Sequence, residues 1–264
     1  MTRRAIVGGY GACLRVEVAD DQLFADLVAV LPEGWVLQKP AGPSAWSFHA
    51  WRESGAIRTR VFGGGSDATC EDVEELRRAL GLELRRFAGY HTSEFTFVHA
   101  GVVAHHGRVI VIPGSSYAGK STLVHALVRA GAEFYSDEYA IFDSAGRVVQ
   151  YREPLILRGP NGSYETEIVA VGPERPLNVG LLVLTSYRQG ASWHPQTASV
   201  AEGIVALVGH ALPARDHPVR TIATLRRALL GATVIRSDRG EADETARLLL
   251  EIAETLRPQV ESSI

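Results

Sequence analysis

The stretch VIVIPGSSYAGKSTLVHALVRAG, residues 109–131, decides the fold. An apolar run enters a cluster of glycines and serines, and an amphipathic run closed by Gly131 leaves it. Gly114, Gly119, Lys120 and Ser121 have the spacing G-x-x-x-x-G-K-[ST] of a phosphate-binding loop. Glycines suit such a loop because backbone N–H groups must turn inward around oxyanions, where a Cβ would block the approach. The helix that follows adds unsatisfied N–H groups and the positive end of its dipole. Lys120 supplies a compact positive charge to the outer phosphates, and the Ser121 hydroxyl is placed to ligate Mg²⁺. The nucleotide-binding stretch is therefore Gly114, Ser115, Ser116, Tyr117, Ala118, Gly119, Lys120, Ser121 and Thr122, with ATP and Mg²⁺ as the expected ligands.

Upstream of the loop, FTFVHAGVVAHHGRVIVIPG reads as two apolar strands run back to back through a turn at His106 and Gly107. Downstream, Leu123, Ala126, Leu127 and Ala130 share one helical face, with Gly131 as the stop. EFYSDEYAIFD, a turn SAGR and VVQY follow as a meander or hairpin. A strand is predicted over 179–187, helices over 199–212 and 218–230, a strand in TVIRSD, and a last helix over 241–256 ahead of Pro258. Residues 1–94 differ in character. There short β-like runs (AIVGG, LRVEVA, WVLQK, WSFHAW, IRTRVFGGG) alternate with turns, and helices are predicted over 21–31, ended by Pro32, and 70–80, ended by Gly81. Thr69 and Asp72 resemble a cap at the start of the second helix. The organisation predicted is an α+β unit over 1–94 and a catalytic domain over 95–264.

The acidic pair Asp137–Glu138 arrives on the strand directly after the loop helix, far sooner than in common nucleoside-triphosphatase folds. Regular pleating would aim one of these carboxylates at the phosphates, unless a bulge intervenes. That favours a division of labour in which one activates an acceptor hydroxyl and the other supports metal or loop.

Composition narrows the partners. A chain of 264 residues with 46% hydrophobic residues can bury a substantial core, and a formal net charge of −3 excludes a global basic field for nucleic acid. Lysine occurs only at Lys39 and Lys120, so a lysine in the loop is informative. Cys13 and Cys70 suggest neither a disulfide framework nor a zinc site and read as buried small hydrophobes. The apolar run of the N-terminus is broken by Arg15, Glu17 and Asp20, and no stretch approaches the roughly 20 apolar residues of a membrane span, so a cytoplasmic protein without membrane partner is expected.

HAGVVAHHGRVIVIPGSSYAGKSTLVHALVRAGAEFYSDE, residues 99–138, resembles the catalytic core of the HPr kinase/phosphorylase family, bacterial serine kinases whose fold is related to phosphoenolpyruvate carboxykinase. A histidine stands fifteen residues before the first loop glycine (His99 to Gly114), and the acidic pair stands twenty-three and twenty-four residues after it. The family has two aspartates at that pair, the second resembling the proton acceptor, where this chain has Asp137 and Glu138. Its Glu-Ile-Arg-Gly signature is matched in ILRGPNG at Arg158 and Gly159, with Ile156 where the glutamate would be. Glu153, Glu165 and Glu167 stand near as substitutes. The N-terminal unit lies outside the resemblance, which is closer to HPr-kinase-like proteins encoded beside peptide-modification genes.

The resemblance implies an α/β fold with α+β mixed sheets, a phosphoenolpyruvate carboxykinase-like P-loop kinase domain. It implies transfer of the γ-phosphoryl group of ATP to a hydroxyl, a serine on a protein or peptide. His99, Lys120, Asp137, Glu138 and Arg158 would be catalytic, with Ser121, Asp137 and Glu138 at the metal. Arg239 stands second to Arg158 as the cation for the developing charge, and Trp193 and His194 mark a polar loop that could line an acceptor site. His105 and His106 read as solvated turn residues. A non-catalytic ATP/ADP switch and a small-molecule kinase are the alternative functions, and a homo-oligomer is left open.

Overall fold

The computed structural model describes residues 2–39, 46–115, 118–151, 155–158, 164–167 and 172–256, with backbone alone at 155–158 and 164–167. Ser116, Tyr117, Glu153, Gly159 and Pro258 lie outside the described residues. The chain divides into two compact units, residues 1–95 and 96–264.

The first unit runs β1 (Arg3–Gly9), β2 (Ala12–Val18), α1 (Asp21–Ala29), β3 (Val36–Gln38), β4 (Ser47–Glu53), β5 (Ala56–Phe62), β6 (Ala68–Cys70) and α2 (Val73–His91). Its six strands form one sheet in the order β3-β1-β2-β4-β5-β6, antiparallel except for the parallel β2–β4 pair. Leu14, Val16 and Val18 of β2 alternate with more exposed residues, the mark of a sheet covered on one face. Helix α2 does not stop at Gly81. It runs 19 residues, because Leu76, Leu80, Leu84 and Ala88 keep one face buried and outweigh the modest helix penalty of one glycine. Its cap is Asp72 alone, whose carboxylate accepts from Glu75 N at 2.8 Å, while Thr69 belongs to β6 and its hydroxyl accepts from Arg58. Cys70 is buried as expected, but Cys13 is exposed at a non-core position of β2, where its thiol meets Gln38.

The second unit runs β7 (Thr96–His105), β8 (Arg108–Pro113), α3 (Lys120–Arg129), β9 (Glu133–Ser136), β10 (Tyr139–Phe142), β11 (Val148–Val149), β12 (Leu155–Arg158), β13 (Tyr164–Glu167), β14 (Val179–Tyr187), β15 (Gln196–Thr197), α4 (Val200–Val208), α5 (Pro218–Ala228), β16 (Thr233–Arg239) and α6 (Ala242–Thr255). Eight strands form a mixed sheet ordered β11-β10-β7-β8-β14-β16-β15, with β9 on β7. Strands β8, β14 and β16 are parallel, and β7 is antiparallel to β8, β9 and β10. This is a mixed α/β sheet, distinct from a parallel doubly wound one.

Helices cover both faces. Leu123, Val124, Ala126 and Leu127 of α3 join Ala246, Leu249 and Leu250 of α6 over Val103, Ile110 and Ile112. Leu207 of α4 and Leu225 of α5 cover Val98, Ala100 and Val102 on the other side. Burial on both faces explains why β8 reads as an unbroken apolar run. Ala130, placed on the core face from spacing, is exposed, and Val124 takes that role. The helix predicted over 199–212 ends at Val208 and resumes as a 3₁₀ turn at Leu212–Ala214, started by a capping box between Ser199 and Glu202.

Gly101 sets how closely α3 approaches the sheet. A Cβ there would fall 2.6 Å from Val124 Cγ2, a contact a branched core residue cannot relieve by rotating its far end. Gly101→Ala is expected to lower stability by about 1–3 kcal/mol in urea unfolding. An unchanged midpoint would mean that the helix has room to spare. Among the described residues no helix is long and apolar enough to cross a membrane.

Candidate active site around the glycine loop

The glycine loop lies between the end of β8 and the start of α3, so the amides of Ala118 and Gly119 lie at a helix N-terminus. Gly119 is the N-cap residue and has φ 77°, a left-handed conformation that favours glycine. Gly114 differs: a Cβ there would meet Ala118 and Lys120 only at an ordinary 3.5 Å, so the protein's own packing does not demand a glycine. Gly114 is instead tied by its amide, which donates to His99 O at 3.2 Å. Ser115 and Thr122 are exposed, and Ala118 and Ser121 are half-buried.

Lys120 is the charged centre. It is 7% exposed, and its ammonium donates to Ser115 O at 2.8 Å, spanning the loop from inside. Burial pushes its pKa down, and the negative charges of Asp137 and Glu138 push it back up. Both carboxylates therefore act on the same ammonium. They do not sit on the pleated strand as expected, because β9 ends at Ser136 and Asp137–Glu138 form a bend before β10. The β7–β9 register also slips between Val102 and Val103, so pleat alternation does not separate the two acids. The Ser136 hydroxyl accepts from the amides of Glu138 and Tyr139 at 3.1 and 2.9 Å, and Glu138 O accepts from Ala100 N at 3.0 Å. A serine just before two acids in EFYSDE is a local turn signal that would have located the bend.

His99 shares the face of β7 on which Gly101 receives α3, two residues away along a period-2 strand. Its ring lies edge-on to Tyr139 at 5.4 Å, and its Nδ1 is buried with no hydrogen-bond partner among the described residues. Burial is the main force holding its pKa down at about 4, with Lys120 and His210 lowering it further and the Gly114 backbone opposing them. His99 is accordingly neutral at pH 7. Sequence reading missed His210, whose carbonyl accepts from His99 N at 2.8 Å and whose own pKa is lowered by burial and by Lys120. It follows α4, far along the chain, and no local pattern points to it.

These shifts have a sign. An unfolded histidine near its ordinary 6.5 binds a proton that folded His99 does not bind until about pH 4. Stability from this group is full above 6.5 and is lost as pH falls toward 4. Thermal melts should show that acid loss, and His99→Gln should flatten it; equal slopes in both proteins would contradict the burial of a neutral imidazole.

Comparison with known proteins adds little to this geometry. No family model and no curated protein matches the chain. One solved structure similar to it is the Hpr(Ser) kinase/phosphatase from Coxiella burnetii, with 16% identity over 60% of this chain and 93% of the other. Its TM-score is 0.29, too low to carry an argument.

Two arginines were candidates from sequence for the cation at the developing charge. Arg158 ends β12, which runs beside α3, and its side chain is outside the described residues. Arg239, ranked second from sequence, is 3% exposed at the end of β16, where its Nη2 donates to Gly119 O at 2.9 Å and its Nη1 to Gly240 O at 3.1 Å. The Tyr187 ring lies 5.3 Å from its guanidinium. Two of its donors are thus committed to backbone, and Arg239 positions the loop. Beside it a cleft of about 400 Å³ is lined by Ala118, Gly119, Thr122, Tyr187, Arg239 and Glu241. Trp193 is half-buried and packs against the α3–α6 core, while His194 beside it is exposed. The contact of Arg239 with Gly119 could not be read from sequence, since only the sheet order brings β16 to the loop.

Proposed function

We propose that the second unit is a carboxykinase-like P-loop kinase that holds Mg-ATP in the glycine loop and transfers its γ-phosphoryl group to a hydroxyl. The observation that carries this reading is the buried Lys120, placed at the start of α3 inside a glycine-rich turn and facing two carboxylates. A purely structural lysine has little reason to be desolvated at a helix N-terminus, where the dipole opposes its charge. A polyphosphate would reverse that penalty.

The roles follow from charge and position. The α3 N-terminus and the loop amides receive the phosphates, and Lys120 compensates the outer charge. Glu138 or Asp137 takes the proton of the attacking hydroxyl, while neutral His99 orients the carboxylate or the phosphate. Ser121, Asp137 and Glu138 offer hard oxygen donors and fit Mg²⁺, which when bound would neutralise phosphate charge. Arg158 is the cation assigned to the developing charge. The acceptor, a serine of a protein or peptide, rests on the resemblance of residues 99–138 alone.

Labelled ATP incubated with the purified chain and a serine-containing peptide library tests the reading. Label on serine is the expected result; magnesium-dependent binding with no transfer to any hydroxyl would reduce the protein to a nucleotide switch.

A further inference from the structure

At the far end of β7 the chain builds a second cluster that the phosphate chemistry does not use. His105 ends β7, His106 begins the turn to β8, and Glu254 lies in the last turn of α6. One ligand atom from each lies within 4.8 Å of the other two. We propose that His105, His106 and Glu254 form a binding site for a borderline transition-metal ion of the Zn²⁺ class, which staples the β7–β8 turn to α6.

The distances leave room for an ion between the three groups. Glu254 Oε1 stands 3.7 Å from His105 Nε2 and 3.9 Å from His106 Nε2, too far for hydrogen bonds. In a tetrahedral zinc site, bonds of about 2.0–2.2 Å place neighbouring ligand atoms roughly 3.3–3.5 Å apart, so the Glu254–imidazole pairs need contract by only a few tenths of an ångström, and side-chain rotation would bring the two imidazole nitrogens, now within 4.8 Å, to the same spacing. One carboxylate oxygen is already shared between two imidazole nitrogens at nearly equal distance. His105 Nε2 is buried with no hydrogen-bond partner among the described residues, and such an atom needs one.

The scaffold holds the ligands in place. His106 has φ 48° and Gly107 φ 73°, a tight hairpin turn that fixes the two rings with centroids 4.1 Å apart. Two imidazoles and one carboxylate suit zinc or a similar ion better than magnesium or calcium, and water completes the coordination. Six residues along β7 separate this cluster from His99, about 20 Å, so the ion would act on structure and not on the phosphates.

Calorimetric titration of the full-length, untagged chain with zinc chloride tests the site. One zinc per chain is expected. Glu254→Gln, at an exposed helical position, and His106→Asn, which tolerates the left-handed turn, should each weaken binding at least as much as losing a supporting partner does, roughly 10- to 100-fold. Lys120→Met should leave zinc binding unchanged, which separates this site from the glycine loop. Absence of binding, or equal affinity in Glu254→Gln and His106→Asn and the parent, overturns the proposal.

Discussion

Lys120→Met should abolish magnesium-dependent ATP binding while leaving the protein as stable as the parent or more so. The two halves of this result have one cause. Lys120 is 7% exposed and its ammonium is held below its ordinary pKa by burial, so in the nucleotide-free protein the charge costs stability that Asp137 and Glu138 only partly return. Methionine fills nearly the same volume without a charge to desolvate. The variant loses the cation that the proposed function sets against the outer phosphates, and removing one such group typically lowers turnover by about 10²–10³. Calorimetry with Mg-ATP and a thermal melt measure the two halves separately. ATP binding equal to the parent's would show that the loop is not the nucleotide site.

Glu138→Gln and Asp137→Asn should do the opposite: keep nucleotide and lose transfer. Both changes preserve shape and remove a charge from a half-buried bend whose backbone is held by Ser136 and Ala100, independently of the carboxylates. Loss of a general base lowers turnover by about 10²–10⁴. The residue whose replacement gives the larger loss is the base, and the smaller effect belongs to the acid that supports Lys120 and the metal. Single-turnover transfer with bound ATP separates this from a binding defect. Parental transfer rates in both variants would remove the acidic bend from the mechanism.

Much of the second unit was legible because its signals are local and redundant. The paired apolar strands, the glycine-lysine spacing and the 3.6-residue period of α3 agree with one another, and the sheet and helix form where they point. Gly81 misled because a local stop signal in α2 was overridden by the buried stripe from Leu76 to Ala88. The acidic pair was placed on a strand because alternation was extended two residues too far, past a serine whose hydroxyl turns the chain. His210 and the contact of Arg239 with Gly119 were invisible for a different reason. They reach the loop only through sheet order and the path of the chain after α4, which no window of sequence contains.

The dipeptide His99–Ala100 joins three distant segments through backbone groups alone: His99 O takes the amide of Gly114, His99 N gives to His210, and Ala100 N gives to Glu138. Arg239 adds a fourth strut to Gly119, 120 residues away along the chain. The forty residues that carry the recognisable motif are consequently not a portable cassette. Grafted onto another scaffold they would bring the lysine and the acids but not the carbonyl of His210 or the guanidinium of Arg239. Contacts that close such long loops form only after the sheet has assembled, so the site matures late in folding. A ribosome-bound chain that has exposed the motif but not β16 would hold every residue of the glycine loop and no finished loop.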